Sequence, residues 1–354
     1  MFVKLRSYLK YLILLLFLSL VFVIFNLNLQ IEDLEENIND TKRQQSIAEE
    51  ETFNLKEREK KYLELIDTFL ELKENNQNLS QQEKVVRNEK YELVWNNISK
   101  YLSKEKIYSE FESTNEKVIE TKKNKFKLKT FKVKYITSNF VRNRSYTIYI
   151  EKKDRDLILI TTNGIIFKAN LGDIDKDVLN AFSIPSNLTD ILNFENVSDG
   201  EEYHGIKDTL IINDEIFVTY IKEIKDDCYN VSILNAKFNL KNIKFSEYFS
   251  HKECTKSPRV QFAGGRIKNY KDNSILLTNG DYHNVETGRK DVSQDMNSIF
   301  GSIIKINKDT KNYEFLSKGN RNPQGLFYLE DKDIILSTEH GPRGGDEINI
   351  FSEK

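Results

Sequence analysis

Near the end of the 354-residue chain runs Thr338-Glu-His-Gly-Pro-Arg-Gly-Gly-Asp-Glu-Ile-Asn349, and a little upstream lies Gly319-Asn-Arg-Asn-Pro-Gln-Gly-Leu326. The glycines and prolines mark turns, and the apolar runs around them, Ile303–Ile306, Gly325–Leu329 and Ile334–Leu336, are short enough for strands. Taken on their residues alone, such turns shape loops between strands, and Arg321 suits an ion pair with Asp346 or Glu347. Working outward, similar apolar runs recur at Ser274–Thr278, Tyr229–Leu234, Ile216–Ile221 and Thr209–Ile212. Further upstream, Leu157–Ile160 and Ile165–Phe167 flank Thr161-Thr-Asn-Gly164, a hairpin signature. Phe126, Leu128, Phe131, Val133 and Tyr135 run close to period two. Many short strands without a strong helical period predict a sandwich or a propeller, and pattern alone does not choose between them. Asp173, Asp175 and Asp177 imitate the start of an EF-hand loop but lack its glycine, so a polar turn is expected there.

The order and spacing of these runs resemble the glucose/sorbosone dehydrogenase family. Gly319–Leu326 is similar to its G-x-R-N-P-Q-G-L motif and the 338–349 run to its E-H-G-P-x-G-G-D-E-[IL]-N motif. Gly301-Ser-Ile-Ile-Lys-Ile306 looks like G-K-I-[IL]-R-I, and Ala263-Gly-Gly-Arg266 with Gly280-Asp281 looks like G-G-R…G-D. The resemblance covers roughly 125–354. It implies an all-β, six-bladed propeller that binds the quinone PQQ and calcium in a central cavity and oxidises aldose sugars. By that resemblance, Arg321 and Asn322 are donors to the cofactor, with Gln324 in support. A planar guanidinium fork suits carboxylate or quinone oxygens. The carbonyls of Gly341 and Pro342 are implied calcium ligands, and calcium takes such oxygen donors. Glu347 matches a ligand of a second, structural calcium, and Asp281 an acidic residue near the catalytic base.

The chain departs from this pattern at the base itself. Four residues before the arginine of G-G-R the family has histidine; here stands Phe262, whose phenyl ring accepts no proton. His340, inside the E-H-G-P motif, is the expected substitute; His283 and His251 are nearby in sequence, and His204 has no motif around it. The family also continues beyond D-E-I-N into further blades, so the sequence is expected to be part of a longer protein. An aldose dehydrogenase is the expected function. The alternatives are a non-catalytic propeller that binds carbohydrate or protein, and an envelope protein in which a coiled coil matters most.

The rest of the chain reads differently. Residues 1–10 form a basic tail, and no residue from Tyr11 to Ile31 is charged. About 20 apolar residues cross a bilayer, so 11–30 is expected to be a transmembrane signal anchor, with the basic tail cytoplasmic. That would place a single-pass protein in the inner membrane with its propeller, 120–354, in the periplasm. Between them, 31–110 is expected to be an α-helical stalk. Ile31, Leu34, Ile38, Thr41, Gln45, Ala48, Thr52, Leu55, Glu59, Tyr62, Ile66 and Phe69 follow a heptad seam, which predicts a coiled coil and a homo-oligomer. Ser80-Gln-Gln-Glu83 is a capping box that opens a second helix through Leu102. A net charge of −2 argues against nucleic acid as a partner. The two cysteines, Cys228 and Cys254, have no zinc-ligand spacing. Two buried thiols or one disulfide remain open; the membrane segment favours the disulfide.

Overall fold

The computed structural model describes scattered positions of a helix between 27 and 60, then 103–132, 148–192 and 205–352, apart from a few single positions and the stretches 257–259 and 284–291. The chain divides into two units, Met1–Arg58 and Glu59–Lys354.

The first unit corrects two expectations. Among the described residues no helix is long and apolar enough to cross a membrane. The described residues of this helix are exposed, the seam residues Ile31, Leu34 and Ile38 among them. A heptad pattern stabilises a coiled coil only when a second helix covers it, so neither the transmembrane helix with its coiled-coil stalk nor the single-pass inner-membrane placement is supported. The apolar run 11–26 and the second helix through Leu102 lie outside the described residues.

The second unit is mostly β-sheet. The first sheet holds β1 (Tyr108–Glu120), β2 (Lys125–Lys132), β3 (Ile148–Lys153), β4 (Asp156–Thr161), β5 (Ile166–Asn170) and β6 (Val178–Ser183), in the order β2-β1-β6-β5-β4-β3. The second holds β7 (Ile206–Ile212), β8 (Glu215–Lys225), β9 (Cys228–Lys237) and β10 (Ser246–Ser250). The third holds β11 (Gly264–Tyr270), β12 (Ser274–Asn279), β13 (Ser302–Asn307) and β14 (Tyr313–Lys318), and the fourth β15 (Pro323–Leu329), β16 (Ile334–Glu339) and β17 (Glu347–Phe351). The pairings are antiparallel, and in the last three sheets each strand pairs with the next in sequence. One edge strand of each sheet touches that of the next: β3 lies against β7, β7 against β11, and β11 against β15. Successive antiparallel meanders with their first strands side by side are the blades of a propeller.

Period two explains how the blades stack. All six residues of β12 are buried. Ile275 and Leu277 enter the core shared with Phe217, Val231 and Ile233 of the second sheet. Leu276, between them, points the other way, into a core with Leu326 and Ile335 of the fourth. Side chains alternate across a strand, so a blade packed on both faces carries apolar residues on both, as Ile275, Leu276 and Leu277 do here. Each such Ile or Leu contributes about 1.5–3 kcal/mol. At β17 the same chemistry is unpaired: Ile348 is 75% and Ile350 68% exposed.

Cys228 and Cys254 form a disulfide, with Cα atoms 5.3 Å apart. It ties the start of β9 to the loop after β10, beside mutual backbone hydrogen bonds between Tyr229 and Thr255.

Candidate functional site

Four short segments meet at one end of the third and fourth sheets: the turn Val260–Phe262 before β11, Gly280–His283 after β12, Gly319–Asn322 between β14 and β15, and 340–346 between β16 and β17. Their backbones are stitched together. Gly280 N–H donates to Ala263 O (2.8 Å), Asp281 N–H to Arg321 O (2.8 Å), and His340 N–H to Asn322 O (3.0 Å). Gly280 is required here because a Cβ would lie 1.7 Å from the Phe262 carbonyl oxygen. Gly341 is required for a similar reason within its own turn, where a Cβ would lie 1.8 Å from Gly345 O. Arg266, of the G-G-R run, holds three blades in register. Its Nε donates to Gln324 O at 2.6 Å and its Nη1 to Lys207 O at 3.0 Å.

Phe262 stands at the middle of the side-chain cluster. The Arg321 guanidinium lies over its ring at 4.6 Å, the His283 ring is 5.4 Å away, and the His340 ring lies nearly parallel at 6.4 Å. Arg321 forms no ion pair with Asp346 or Glu347 among the described residues. Its Nη1 instead donates to the carbonyls of His340 and Gly341, 2.9 Å each, and its backbone N–H donates to Glu339 Oε1 at 2.5 Å.

Asn322 is buried; its Oδ1 accepts from Gln324 Nε2 at 2.5 Å, and that amide also reaches Gln261 O at 3.4 Å. Pro342 O accepts from Gly345 N–H at 2.6 Å. Glu347 is exposed and accepts from Asn349 Nδ2 at 3.4 Å. The side chain of His340 is 59% exposed; its Nδ1 lies 3.1 Å from Asp346 Oδ1, which also accepts from Gly341 N–H at 3.1 Å.

Burial raises the Asp281 carboxyl above its ordinary range, opposed by the hydrogen bond from His283 N–H and by the charge of Arg321. Burial likewise raises Glu339, and the neighbouring carboxylates Glu347 and Asp281 add to the effect. Lys207 donates to Val260 O at 3.2 Å, at the base of the turn that carries Phe262. Burial pushes its ammonium down to about 7, with Arg266 adding repulsion.

The structure therefore brings Arg321, Asn322, Gln324, Asp281, His340 and Gly341 to one end of the blades, with Pro342 in the same turn and Glu347 at its rim. Sequence reasoning missed two participants. Asp346 is the partner of His340; it was visible in the 338–349 run but carried no spacing that marks a His–Asp pair. His283 was noted only as near in sequence and given no role, because its place beside Phe262 depends on how the chain turns after β12.

The residues present fit calcium and PQQ in kind. The carbonyls of His340 and Gly341 already converge on a cation, the Arg321 guanidinium, and oxygen donors of this kind suit calcium. No group of three or more His, Cys, Asp or Glu side chains suited to a metal occurs among the described residues.

Antiparallel blades with a polar cluster on the loops at one end define a propeller protein with a loop-built site. Residues 205–354 match the family model described as Glucose / Sorbosone dehydrogenase. Over those residues the chain is similar to that family. It is 32% identical over 78 residues to the aldose sugar dehydrogenase YliI of Escherichia coli, covering 18% of this chain and 21% of that protein. It is 33% identical over 114 residues to an uncharacterized protein of Synechocystis, covering 27% of this chain and 28% of that protein. The matched stretches thus span about a quarter of these curated relatives' length. Among solved structures, the soluble aldose sugar dehydrogenase of Escherichia coli in the apo-form is similar over 59% of this chain and 60% of that one, with 19% identity and a TM-score of 0.42. A glucose dehydrogenase is similar over 58% and 64%, with 17% identity and a TM-score of 0.43.

Proposed function

We propose that this protein is a sugar dehydrogenase that oxidises an aldose at the cluster around Phe262, using PQQ and calcium. One observation supports this most directly: Arg321 holds the His340 and Gly341 carbonyls on a positive charge, beside two imidazoles and a half-buried carboxyl. In this reading Gly341 and Pro342 offer carbonyl oxygens to calcium, Glu347 belongs to a second calcium site, and Arg321, Asn322 and Gln324 offer donors to the cofactor. When bound, PQQ supplies a quinone that takes up two electrons, and calcium polarises it.

The chain's own residues must then manage the proton. Oxidising a C–OH group removes a hydrogen with two electrons from carbon and a proton from oxygen. Phe262 takes no proton. His340 is proposed as the acceptor: donating Nδ1–H to Asp346 leaves the Nε2 lone pair outward. Asp281 stands close enough to Arg321 and His283 to feel their charge and is proposed to orient the reacting group.

The test is a titration of the full chain with PQQ in the presence of calcium, followed by the cofactor's absorbance, and then dye reduction across a panel of aldoses. Stoichiometric binding and sugar-dependent reduction are expected. Bound cofactor with no turnover on any sugar would overturn the catalytic reading. It would leave a carbohydrate-binding propeller, which Phe262 at the centre of the cluster favours; a gain of activity in Phe262→His would then locate the defect.

A further inference from the structure

We infer that His283 is the residue that recognises a hydroxyl group of the sugar at this site, an inference that rests on the dehydrogenase reading above. Three independent observations carry it. The first is backbone conformation. Tyr282 (φ 54°) and His283 (φ 55°) are consecutive non-glycine residues in the left-handed region. Each such residue is disfavoured by its Cβ, and strain of this kind persists only where the surroundings impose it.

The second is how the strain is imposed. Asp281 Oδ1 accepts the His283 N–H at 2.8 Å. Tyr282 is fully buried, edge-on to Phe300 at 5.2 Å and within 3.5 Å of Asn230 Oδ1 through its hydroxyl. The tyrosine therefore anchors the turn in the core between the second and third sheets, and the histidine is the residue that the turn delivers to Phe262.

The third is unmet hydrogen bonding. The Nδ1 of His283 is buried without a partner among the described residues. A buried polar atom left unpaired is costly, and native structures rarely keep one without a use. Neutral imidazole carries one donor and one acceptor, and a sugar hydroxyl can meet either. Of the two histidines on Phe262, His340 spends its Nδ1 on Asp346 and has its Nε2 assigned to the proton; the Nδ1 of His283 is a further atom with unmet hydrogen-bonding capacity to give a ligand.

The experiment is His283→Gly in the full chain loaded with calcium and PQQ. Glycine adopts φ near +55° without a Cβ penalty, so the variant is expected to melt at the same temperature as the wild type or higher. KM for the preferred aldose is expected to rise about tenfold, the effect of one lost hydrogen bond, with kcat changed far less. Discrimination between that aldose and one of its monodeoxy analogues should fall by a similar factor. His283→Asn, which also tolerates the left-handed region and keeps a donor and an acceptor, should recover part of the affinity. Unchanged KM and unchanged discrimination overturn the inference and leave the dehydrogenase reading intact. A lower melting temperature with activity lost in proportion also overturns it, because the residue is then structural. A folded wild type that oxidises no aldose sinks the dehydrogenase reading, and the inference with it.

Discussion

The loops 280–283 and 340–346 both reach the ring of Phe262, but they are held there by different means. The first is fastened from below: Gly280 sits against the Phe262 carbonyl, Tyr282 fills the core, and the strain of two left-handed residues is carried by that burial. The second is fastened from within, by Asp346 on Gly341 N–H and by Gly345 on Pro342 O, on a turn whose histidine is largely exposed. Arg321 joins the two, through its carbonyl to Asp281 and through its guanidinium to His340 and Gly341. The difference teaches which half of the site the fold imposes and which half can rearrange around a ligand. The 280–283 half cannot move without disturbing the interface between two blades. The 340–346 half can move at the cost of a few local hydrogen bonds.

Substitutions can break this comparison. The largest effect is expected at Gly280→Ala, where the new Cβ meets a backbone oxygen at 1.7 Å in the packed loop. Overpacking of this kind costs about 3 kcal/mol, read as a lower denaturation midpoint with an unchanged slope. Arg321→Ala should cost about 2 kcal/mol, from two charge-assisted hydrogen bonds and the stacking on Phe262. It should also weaken PQQ binding by absorbance titration. Gly341→Ala meets an equally close atom, Gly345 O, but inside an exposed turn that can give way. A loss of about 1 kcal/mol is expected, and a loss equal to that of Gly280→Ala would abolish the distinction between the two loops. Asp346→Asn should change stability by only a few tenths of a kcal/mol, since the pair it forms with His340 is mostly exposed. Its turnover should fall all the same if His340 takes the proton.

A pH dependence sharpens the picture beneath the first loop. Lys207 props the turn that carries Phe262, and its ammonium is pushed from 10.5 down to about 7. Between those values the unfolded chain binds more protons than the folded one, so stability should rise with pH across that window. Below about pH 7 both states hold the proton and this contribution no longer varies. Thermal unfolding of Lys207→Met should lack the rise, and a rise of equal size in the variant would place its origin elsewhere.

Much of the β-domain was legible in the chain. The apolar runs at Ser274–Thr278, Ile303–Ile306 and Ile334–Leu336 fall in β12, β13 and β16, because strands packed between neighbouring sheets bury apolar residues on both faces. The hairpin between β4 and β5 stands where Thr161-Thr-Asn-Gly164 indicated. The heptad of the N-terminal unit misled, since a periodic apolar stripe says what a helix would bury and not whether anything covers it. Choosing between thiols and a disulfide at Cys228 and Cys254 also lay beyond the sequence. Whether two sulfurs meet depends on the separation of two backbones 26 residues apart.

The sequence by itself determined that Arg321, Asn322, His340 and Gly341 lie in turns between strands, and its resemblance to the dehydrogenase family set Phe262 where that family has a histidine. The turns follow from local chemistry, since glycine and proline punctuate and apolar runs pair, and a phenyl ring at 262 holds no titrating proton. Only the tertiary structure decided that Arg321 would close on the His340 and Gly341 carbonyls instead of on a carboxylate, that Asp346 would serve His340, and that His283 would be turned against Phe262. These contacts join residues from separate turns or set a strained backbone against a buried anchor. Their energies depend on distances that exist only once the blades have packed.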